Sequence, residues 1–194
     1  MVVGFVDREN DSPAQQDIPA ELPVLPLRNM VLFPRSIAPL VVGLPRSVKL
    51  IQETIKGSGM IAVCTARDSC AENPMPGQIH EIGTACRIRS VIQMPEDKLQ
   101  VILEGLERIH VDHWVSTEPY LRARVEPAPE TVEDGLELEA LARNLRELLE
   151  DILSFMSDVP EGAGKLVRQS DDPLYLVYMT AAIAHMDPEE GQRV

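Results

Sequence analysis

The chain has 194 residues, 44% of them hydrophobic, which is enough for one domain, or a domain and a half, with a substantial core. Its formal net charge is −13, with 16 acids and 13 bases in residues 1–126 and 15 acids and 5 bases in residues 127–194. An acidic chain repels phosphate, and 4% aromatic residues offer few rings for base stacking, so nucleic acid is disfavoured as the main partner. No apolar run reaches the ~18 residues of a membrane span, and the N-terminus lacks the apolar centre of a signal peptide, so we expect a cytoplasmic protein without a membrane partner.

The pattern of apolar residues divides the chain into three parts. Residues 1–21 are polar and contain two prolines, so we expect a flexible leader. Residues 22–128 carry short apolar runs and alternating segments typical of β-strands, and residues 129–194 carry apolar residues at helical spacing. We therefore predict an α+β fold, in which a small β barrel or sheet with one helix precedes the start of an α-helical bundle.

The folded part begins with an apolar segment that is interrupted by prolines, LPVLPLRNMVLFP at Leu22–Pro34. Pro23 and Pro26 have opposite parity along a strand, so each edge of the strand loses one hydrogen-bond donor. Such a strand fits the edge of a sheet, or a kink, better than the middle. We expect the apolar residues at its end to lie close to the surface: Met30, Leu32 and Phe33.

Five further strands are expected between Pro or Gly residues: Ala38–Gly43, Met60–Thr65, Gly83–Met94, Leu99–Trp114 and Leu121–Pro127. The third and fourth meet across PEDK at Pro95–Lys98, a sequence that suits a tight turn. Gly105 inside the returning strand predicts a bulge or a sharp bend.

One helix is predicted within the β region, in residues 43–57. Pro45 suits its first turn and Gly57 its C-terminal cap. Its apolar residues recur at helical spacing: Leu44, Val48, Ile51 and Ile55.

Two helices are predicted after Pro129. The first, in residues 136–156, has acids at its start, as the helix dipole favours. Its apolar residues form one stripe, which consists of Leu141, Leu145, Leu148, Leu149, Ile152, Phe155 and Met156. The second is capped by Asp172, has Pro173 at its first position and is ended by Pro188. It is apolar on almost every side, so it needs neighbours on several sides. We therefore expect more helix to follow in a longer protein, of which this chain is a fragment.

The residues that often carry chemistry show no catalytic or metal-binding pattern. Cys64, Cys70 and Cys86 have no metal-ligand spacing and are expected to be free thiols. His110 and His113 lie three apart on a predicted strand, so their side chains point to opposite faces and would share a metal poorly. The segment VPEGAGKLV, residues 159–167, lacks the first glycine and the hydroxyl residue of a phosphate-binding loop. We expect no catalytic residue, no metal and no cofactor in this chain.

A positive island stands out in the acidic chain, because Leu22–Gln52 contains no acid but has Arg28, Arg35, Arg46 and Lys49. Two interpretations remain open. Either the island reflects chance and core burial, or it is a docking surface for flexible polypeptide. A strand edge beside exposed apolar groups could bind an extended peptide by strand addition, or could be covered by another subunit. The candidate substrate-binding residues are Met30, Leu32, Phe33, Arg35, Arg46 and Lys49.

Several of these segments resemble the N-terminal domain of bacterial ATP-dependent Lon proteases. The opening segment resembles the family's L-P-x-L-P-L-R-[DN]-x-V-x-[FY]-P, and APLVVG its P-L-x-V-G. Arg46–Ser47 matches a basic-Ser pair at a helix start, VILEGLERI resembles V-x-V-E-G-L-x-R-[IA], and DDPLYLVYMTAAIAHM matches a later helical motif. The similarity runs in order from Leu22 to the end. It departs at Leu44–Pro45, where many relatives have charged residues.

This resemblance implies a PUA-like β barrel followed by the first helices of a bundle, with a role in binding unfolded or damaged protein. The parent protein would be a hexameric ATP-dependent serine endopeptidase. ATP and Mg would bind in an AAA+ domain, and a Ser-Lys pair would act in a protease domain, and neither domain is expected in this chain. The alternatives are a domain that promotes assembly of the hexamer, and a PUA-like RNA-binding module, which the acidic charge disfavours.

Overall fold

The structure is a computed structural model that describes residues 4–5, 18–68, 70–132, 135–155, 167, 170, 172–184 and 186–193. Most of the predicted leader lies outside the described residues, as do Met156 and all but the last residue of the glycine-containing segment 159–167. The proposed division at residues 21 and 128 remains a prediction.

Seven strands form one mixed sheet: β1 (Gly4–Phe5), β2 (Glu21–Leu27), β3 (Ser36–Val42), β4 (Met60–Ala66), β5 (Ile79–Gln93), β6 (Leu99–Ser116) and β7 (Arg122–Pro127). The strand order is β1-β3-β6-β5-β4-β2-β7, and β2 and β4 run parallel. Strand β7 also pairs with the C-terminal part of β6, so the sheet curls into a barrel-like shape. Strands β3 and β1 lie outside this curl, so the sheet as a whole is not a closed barrel.

The helices are α1 (Pro45–Thr54), α2 (Leu136–Phe155), α3 (Pro173–Ile183) and α4 (Pro188–Gly191), with a short 3-10 turn at Pro76–Gln78. The predicted α+β class, with one helix inside a barrel-like sheet region and further helices after it, is confirmed. Among the described residues, no helix combines the length and apolarity that crossing a membrane requires.

The β5–β6 hairpin forms as predicted, and its turn residues Glu96 and Asp97 have positive φ angles of 61° and 53°. The predicted bulge is also present: Ala85 pairs with Glu107 and Cys86 with Gly105, so Leu106 has no partner in this ladder. The carbonyl oxygen of Gly105 accepts a hydrogen bond from the backbone N–H of Arg35, at 2.9 Å. A Cβ at this position would lie 2.3 Å from the carbonyl oxygen of Phe33, so only glycine lets the two backbones approach.

Strand β2 lies between β4 and β7, so of the two predicted alternatives, an edge or a kink, the edge is wrong. Its first half pairs with β7, with Pro23 opposite Arg122, and its second half pairs with β4, with Pro26 opposite Cys64. Because the strand changes neighbours along its length, neither ladder runs past both prolines. Two prolines are thus tolerated inside a sheet.

Helix α1 starts at Pro45 as predicted, but its buried face is turned relative to the predicted one. Ser47, Leu50, Ile51 and Thr54 are buried, whereas Ile55 is exposed. Leu50 and Ile51 join the main core of the sheet, and this packing selects the face. The residue with positive φ after the helix is Gly59, not Gly57, and its N–H binds the carbonyl oxygen of Thr54 at 3.1 Å.

Helices α2 and α3 pack against each other through Leu149, Leu176 and Met179. Leu145 and Leu153 of α2 also pack against this cluster. By contrast, Leu141 and Leu148 are each 59% exposed and Phe155 is 87% exposed. The predicted stripe is therefore split, with one part on α3 and the other part uncovered by any described residue.

Helix α3 is buried on most sides by this chain itself, through Tyr175, Leu176, Tyr178, Met179 and Ala181. The α2 helix covers one side, and Phe33 of the β region covers another by stacking on Tyr178, with 5.8 Å between ring centroids. We expected that residues beyond this chain would be needed to bury the helix, but the chain itself buries most of it. It ends at Ile183, and Pro188 starts α4 instead of ending α3.

Asp172 joins the helices to the sheet. As predicted, it caps α3, accepting hydrogen bonds from the N–H groups of Leu174 and Tyr175. It also pairs with the guanidinium of Arg35. Burial raises the pKa of Asp172, but the hydrogen bond and charge of Arg35 and the two backbone N–H groups outweigh burial and hold the pKa below its usual 3.8.

Replacing Gly105 tests the close backbone contact. We expect Gly105→Ala to lower the free energy of unfolding by about 1–3 kcal/mol, because the methyl group meets a carbonyl oxygen that cannot move without shifting the backbone. Urea unfolding of both proteins measures the loss. Gly77→Ala is the matched control, since no atom lies within 4 Å of the Cβ position there. Equal losses in both variants would contradict the contact.

The Arg35–Asp172 pair predicts a dependence of stability on pH. Because the pKa of Asp172 is lower in the folded state, the folded protein holds fewer protons, and the stabilisation is complete above the usual pKa of 3.8 and is lost as pH falls through the lowered value. Asp172→Asn keeps a capping side chain but removes the charge, so we expect a loss of about 0.5–1 kcal/mol at neutral pH for this partly exposed pair. Unfolding curves at neutral and acidic pH should show the gap closing below pH 3.8. The exposed Asp151→Asn serves as control, and a gap that persists in acid would refute the assignment.

Candidate functional site

The segment that connects β2 to β3, Arg28–Arg35, lies across the sheet, and we call it the crossover segment. Its carbonyl oxygens accept hydrogen bonds from three hydroxyl groups: Thr65 Oγ1 to Met30 at 3.1 Å, Thr84 Oγ1 to Leu32 at 2.5 Å, and Ser36 Oγ to Phe33 at 2.6 Å. At its end, Arg35 has a φ of 60°, which turns the chain sharply into β3. The segment is therefore held at several points along its backbone.

A groove of about 580 Å³ lies between the crossover segment, the ends of β2 and β3, and helices α3 and α4. Most of its lining is apolar, and the polar lining residues are Arg28, Asn29, Ser36, Ser47 and Lys98. Gly191 of α4 packs beside Val31, where a Cβ would lie 3.0 Å from Val31 Cγ2. The sheet and the helical region thus form the groove together.

Three predicted site residues, Met30, Leu32 and Phe33, line this groove. Met30 is half-buried, but Leu32 is only 4% exposed and Phe33 only 6% exposed. The expectation that Leu32 and Phe33 lie at the surface is therefore wrong. Leu32 belongs to the core of the sheet, and Phe33 is covered by Tyr178 of α3, a contact between segments far apart in the sequence.

The other three predicted site residues, Arg35, Arg46 and Lys49, are not among the residues that line the groove. Arg35 pairs with Asp172, Arg46 Nη2 donates to the carbonyl oxygen of Pro74 at 3.1 Å, and Lys49 Nζ lies 3.9 Å from Glu53 Oε1. Each cation therefore has a partner within the chain. Their assignment to substrate binding remains a prediction.

Sequence reasoning missed the groove residues that come from distant segments. Val41 of β3 is 62% exposed and lines the groove, as do Ala181 and Ala182 of α3 and Met186 beyond it. One signal was present in the sequence, since a helix that is apolar all round must contact more than one neighbour. The sequence did not indicate which neighbour would be the crossover segment.

The sheet edge beside the groove belongs to β3. Within the described part of the chain, β1 is the strand that pairs with its outer side, and it reaches only Ser36 and Ile37. The segment Ala38–Val42 pairs with β6 on its other side. Strand β2 lies between β7 and β4 in the sheet order, so the outer strand beside the groove is β3 and not β2.

The described residues that line the groove include no acid, histidine or cysteine that could act as a general base or nucleophile. Burial raises the pKa of the Cys64 thiol to about 12 and also raises that of Cys86, so both stay protonated at neutral pH. His110 lies near Glu81 and His113 near Asp112. Among the described residues, no group of three acidic, His or Cys side chains is placed to hold a metal ion. The described lining of the groove is suited to contact with apolar groups.

The family model and the similar proteins that match this chain agree on one family. Residues 21–194 match the model of the ATP-dependent protease La (LON) substrate-binding domain. The chain is 36% identical over 181 residues to the Lon protease of Anaeromyxobacter dehalogenans, which covers 93% of this chain and 22% of that protein. It is 37% identical over 153 residues to the Lon protease of Dictyoglomus thermophilum, which covers 79% of this chain and 19% of that protein. The chain therefore spans about a fifth of the length of these relatives.

Two solved structures share the fold. The N-terminal domain of Mycobacterium avium complex Lon protease matches with a TM-score of 0.68 and 16% identity, covering 89% of this chain and 88% of that one. The Lon N-terminal domain protein from Xanthomonas campestris matches with a TM-score of 0.53 and 22% identity, covering 84% of this chain and 97% of that one. At these identities the likeness concerns the fold, and the family rests on the sequence matches. The chain belongs to the LON substrate-binding domain family.

Proposed function

We propose that this chain binds unfolded or damaged polypeptide and acts as the part of a Lon protease that selects substrates. The apolar groove between the crossover segment and the helical region is the observation that carries this proposal. Its volume of about 580 Å³ lies within the usual range of about 300–1,000 Å³ for binding sites and would hold a few apolar side chains. Unfolded proteins expose such side chains, whereas folded proteins bury them.

An extended segment fits this site better than a folded surface does. Val41 lies on the β3 edge and also lines the groove, so a peptide that pairs with the outer side of β3 would direct alternate side chains into the groove. Pro39 lacks an N–H group, so the backbone can donate few hydrogen bonds there. The side chains in the groove would then supply most of the affinity.

The proposed contact is small, so we expect weak binding for one chain, with a Kd of about 10 μM or higher. In the parent protein, a hexamer would present several such domains to one substrate, and this multivalency would raise the overall affinity. We propose that the parent is a cytoplasmic ATP-dependent serine endopeptidase. Its ATPase and protease domains would bind ATP and Mg and would cleave the selected protein.

A pair of valine substitutions tests the groove. Val41→Gln removes an exposed apolar side chain from the lining, and we expect it to weaken binding of a reduced, unfolded protein about fivefold, since burying a valine contributes about 1–2 kcal/mol. Val115→Gln is the matched control, because Val115 is also an exposed valine on a strand but does not line the groove. Fluorescence anisotropy with the labelled unfolded protein measures both.

The folded form of the same protein is the second control and should bind at least tenfold more weakly, a difference of about 1.4 kcal/mol. Equal affinity for folded and unfolded protein would contradict substrate selection. Equal effects of the two valine substitutions would place the binding site elsewhere.

The open face of α2 favours a second candidate function, assembly of the parent protein. Leu141, Leu148 and Phe155 are spaced by seven residues and are all exposed, a pattern that suits packing against another helix. We therefore expect the chain to self-associate weakly through this face. The residues of this face do not line the groove, so self-association and peptide binding would use different surfaces.

Substitution of this face separates the two functions. We expect Leu141→Gln with Leu148→Gln to lower the dimer fraction at least threefold in sedimentation velocity, since each exposed leucine contributes apolar contact area of up to about 1 kcal/mol. Binding of unfolded protein should stay unchanged. A monomeric wild-type chain at high concentration would rule out this candidate.

A further inference from the structure

The charge of the groove indicates which unfolded segments it prefers, an inference that rests on the proposed function. Among the residues that the structure describes, none that lines the groove is acidic, although the whole chain has a formal net charge of −13. Two of the lining residues, Arg28 and Lys98, carry positive charge. The groove is thus an apolar site with a cationic rim on an otherwise acidic protein.

Arg28 lies on the crossover segment and is exposed, so its guanidinium is accessible to a bound peptide. Lys98 follows the β5–β6 turn, and its aliphatic chain lies beside Gly43, where a Cβ would be 3.2 Å from Lys98 Cγ. Its ammonium group lies 2.6 Å from the exposed carboxylate of Glu96, which offsets part of its charge. Arg28 is therefore the stronger of the two candidate contacts.

Two further elements near the groove carry charge, α1 at its N-terminus and the segment that contains α4. Helix α1 begins at Pro45, two residues after the Gly43 that Lys98 contacts, and it has no acid in its first turn to offset its positive end. On the opposite side, α4 carries Asp187, Glu189 and Glu190, none of which lines the groove. A bound segment would therefore meet positive charge at the rim formed by Arg28 and Lys98.

We propose that the groove selects extended apolar segments that carry acidic side chains next to their apolar residues. The apolar side chains occupy the groove, and the acidic side chains pair with Arg28 and Lys98. Lysine or arginine at the same places is repelled. Because these cations are exposed to solvent, the preference is modest and weakens with salt.

Three labelled peptides test this preference on the full 194-residue chain. They share one apolar core, which is flanked by Glu, Gln or Lys, and their termini are acetylated and amidated. At low salt we expect the Glu peptide to bind about threefold to tenfold more tightly than the Lys peptide, with the Gln peptide between them. High salt should reduce this ratio toward one.

Charge substitutions assign the preference to the rim. We expect Arg28→Glu combined with Lys98→Gln to abolish or reverse the order of the three peptides. Arg143→Glu on the exposed side of α2 is the matched control and should keep the order, since Arg143 does not line the groove. Circular dichroism checks that all variants are folded.

The outcomes separate this inference from the proposed function. If all three peptides bind equally and Val41→Gln weakens each of them, the groove binds unfolded segments and the charge preference is wrong. If no peptide binds, the proposed function fails and the preference fails with it.

Discussion

The fold and the groove both depend on how the crossover segment is held against the sheet. On its inner side, hydroxyl groups of β4 and β5 bind its carbonyl oxygens, and the missing side chain of Gly105 lets its backbone approach β6. On its outer side, Phe33 stacks on Tyr178 and Arg35 pairs with Asp172. The eight residues of the crossover segment therefore form one wall of the groove and also hold the helical region against the sheet.

The polar contacts around this segment couple the two regions of the chain. Asp172 caps α3 and also binds Arg35, so the same carboxylate stabilises a helix terminus and its attachment to the sheet. Near it, Glu130 accepts hydrogen bonds from Tyr178 and Arg108, the latter at 3.1 Å. Because ion pairs of this kind are directional, they define the orientation of α3 better than apolar packing alone. Ala181 and Ala182 of this helix line the groove.

The described lining of the groove is apolar with a few cationic and neutral polar groups. Burial keeps the thiols of Cys64 and Cys86 protonated. Apolar contacts require little geometric precision, so such a surface fits the proposed weak binding of many unrelated segments. The proposed role, to accept different substrates and release them to another domain, would require binding of this kind.

The sequence by itself determined the α+β class, the hairpin, the bulge at Gly105, the cap at Asp172 and the family resemblance. These features depend on spacing, turn residues and local backbone preference, which can be read from neighbouring residues. The burial of Leu32 and Phe33, the position of β2 inside the sheet and the buried face of α1 were decided only by the tertiary structure. Phe33 is covered by Tyr178, and Arg35 is paired with Asp172 across 137 positions of sequence, so no local pattern could indicate either contact. Local preference determines which elements form, whereas long-range packing decides which of their residues remain free to bind.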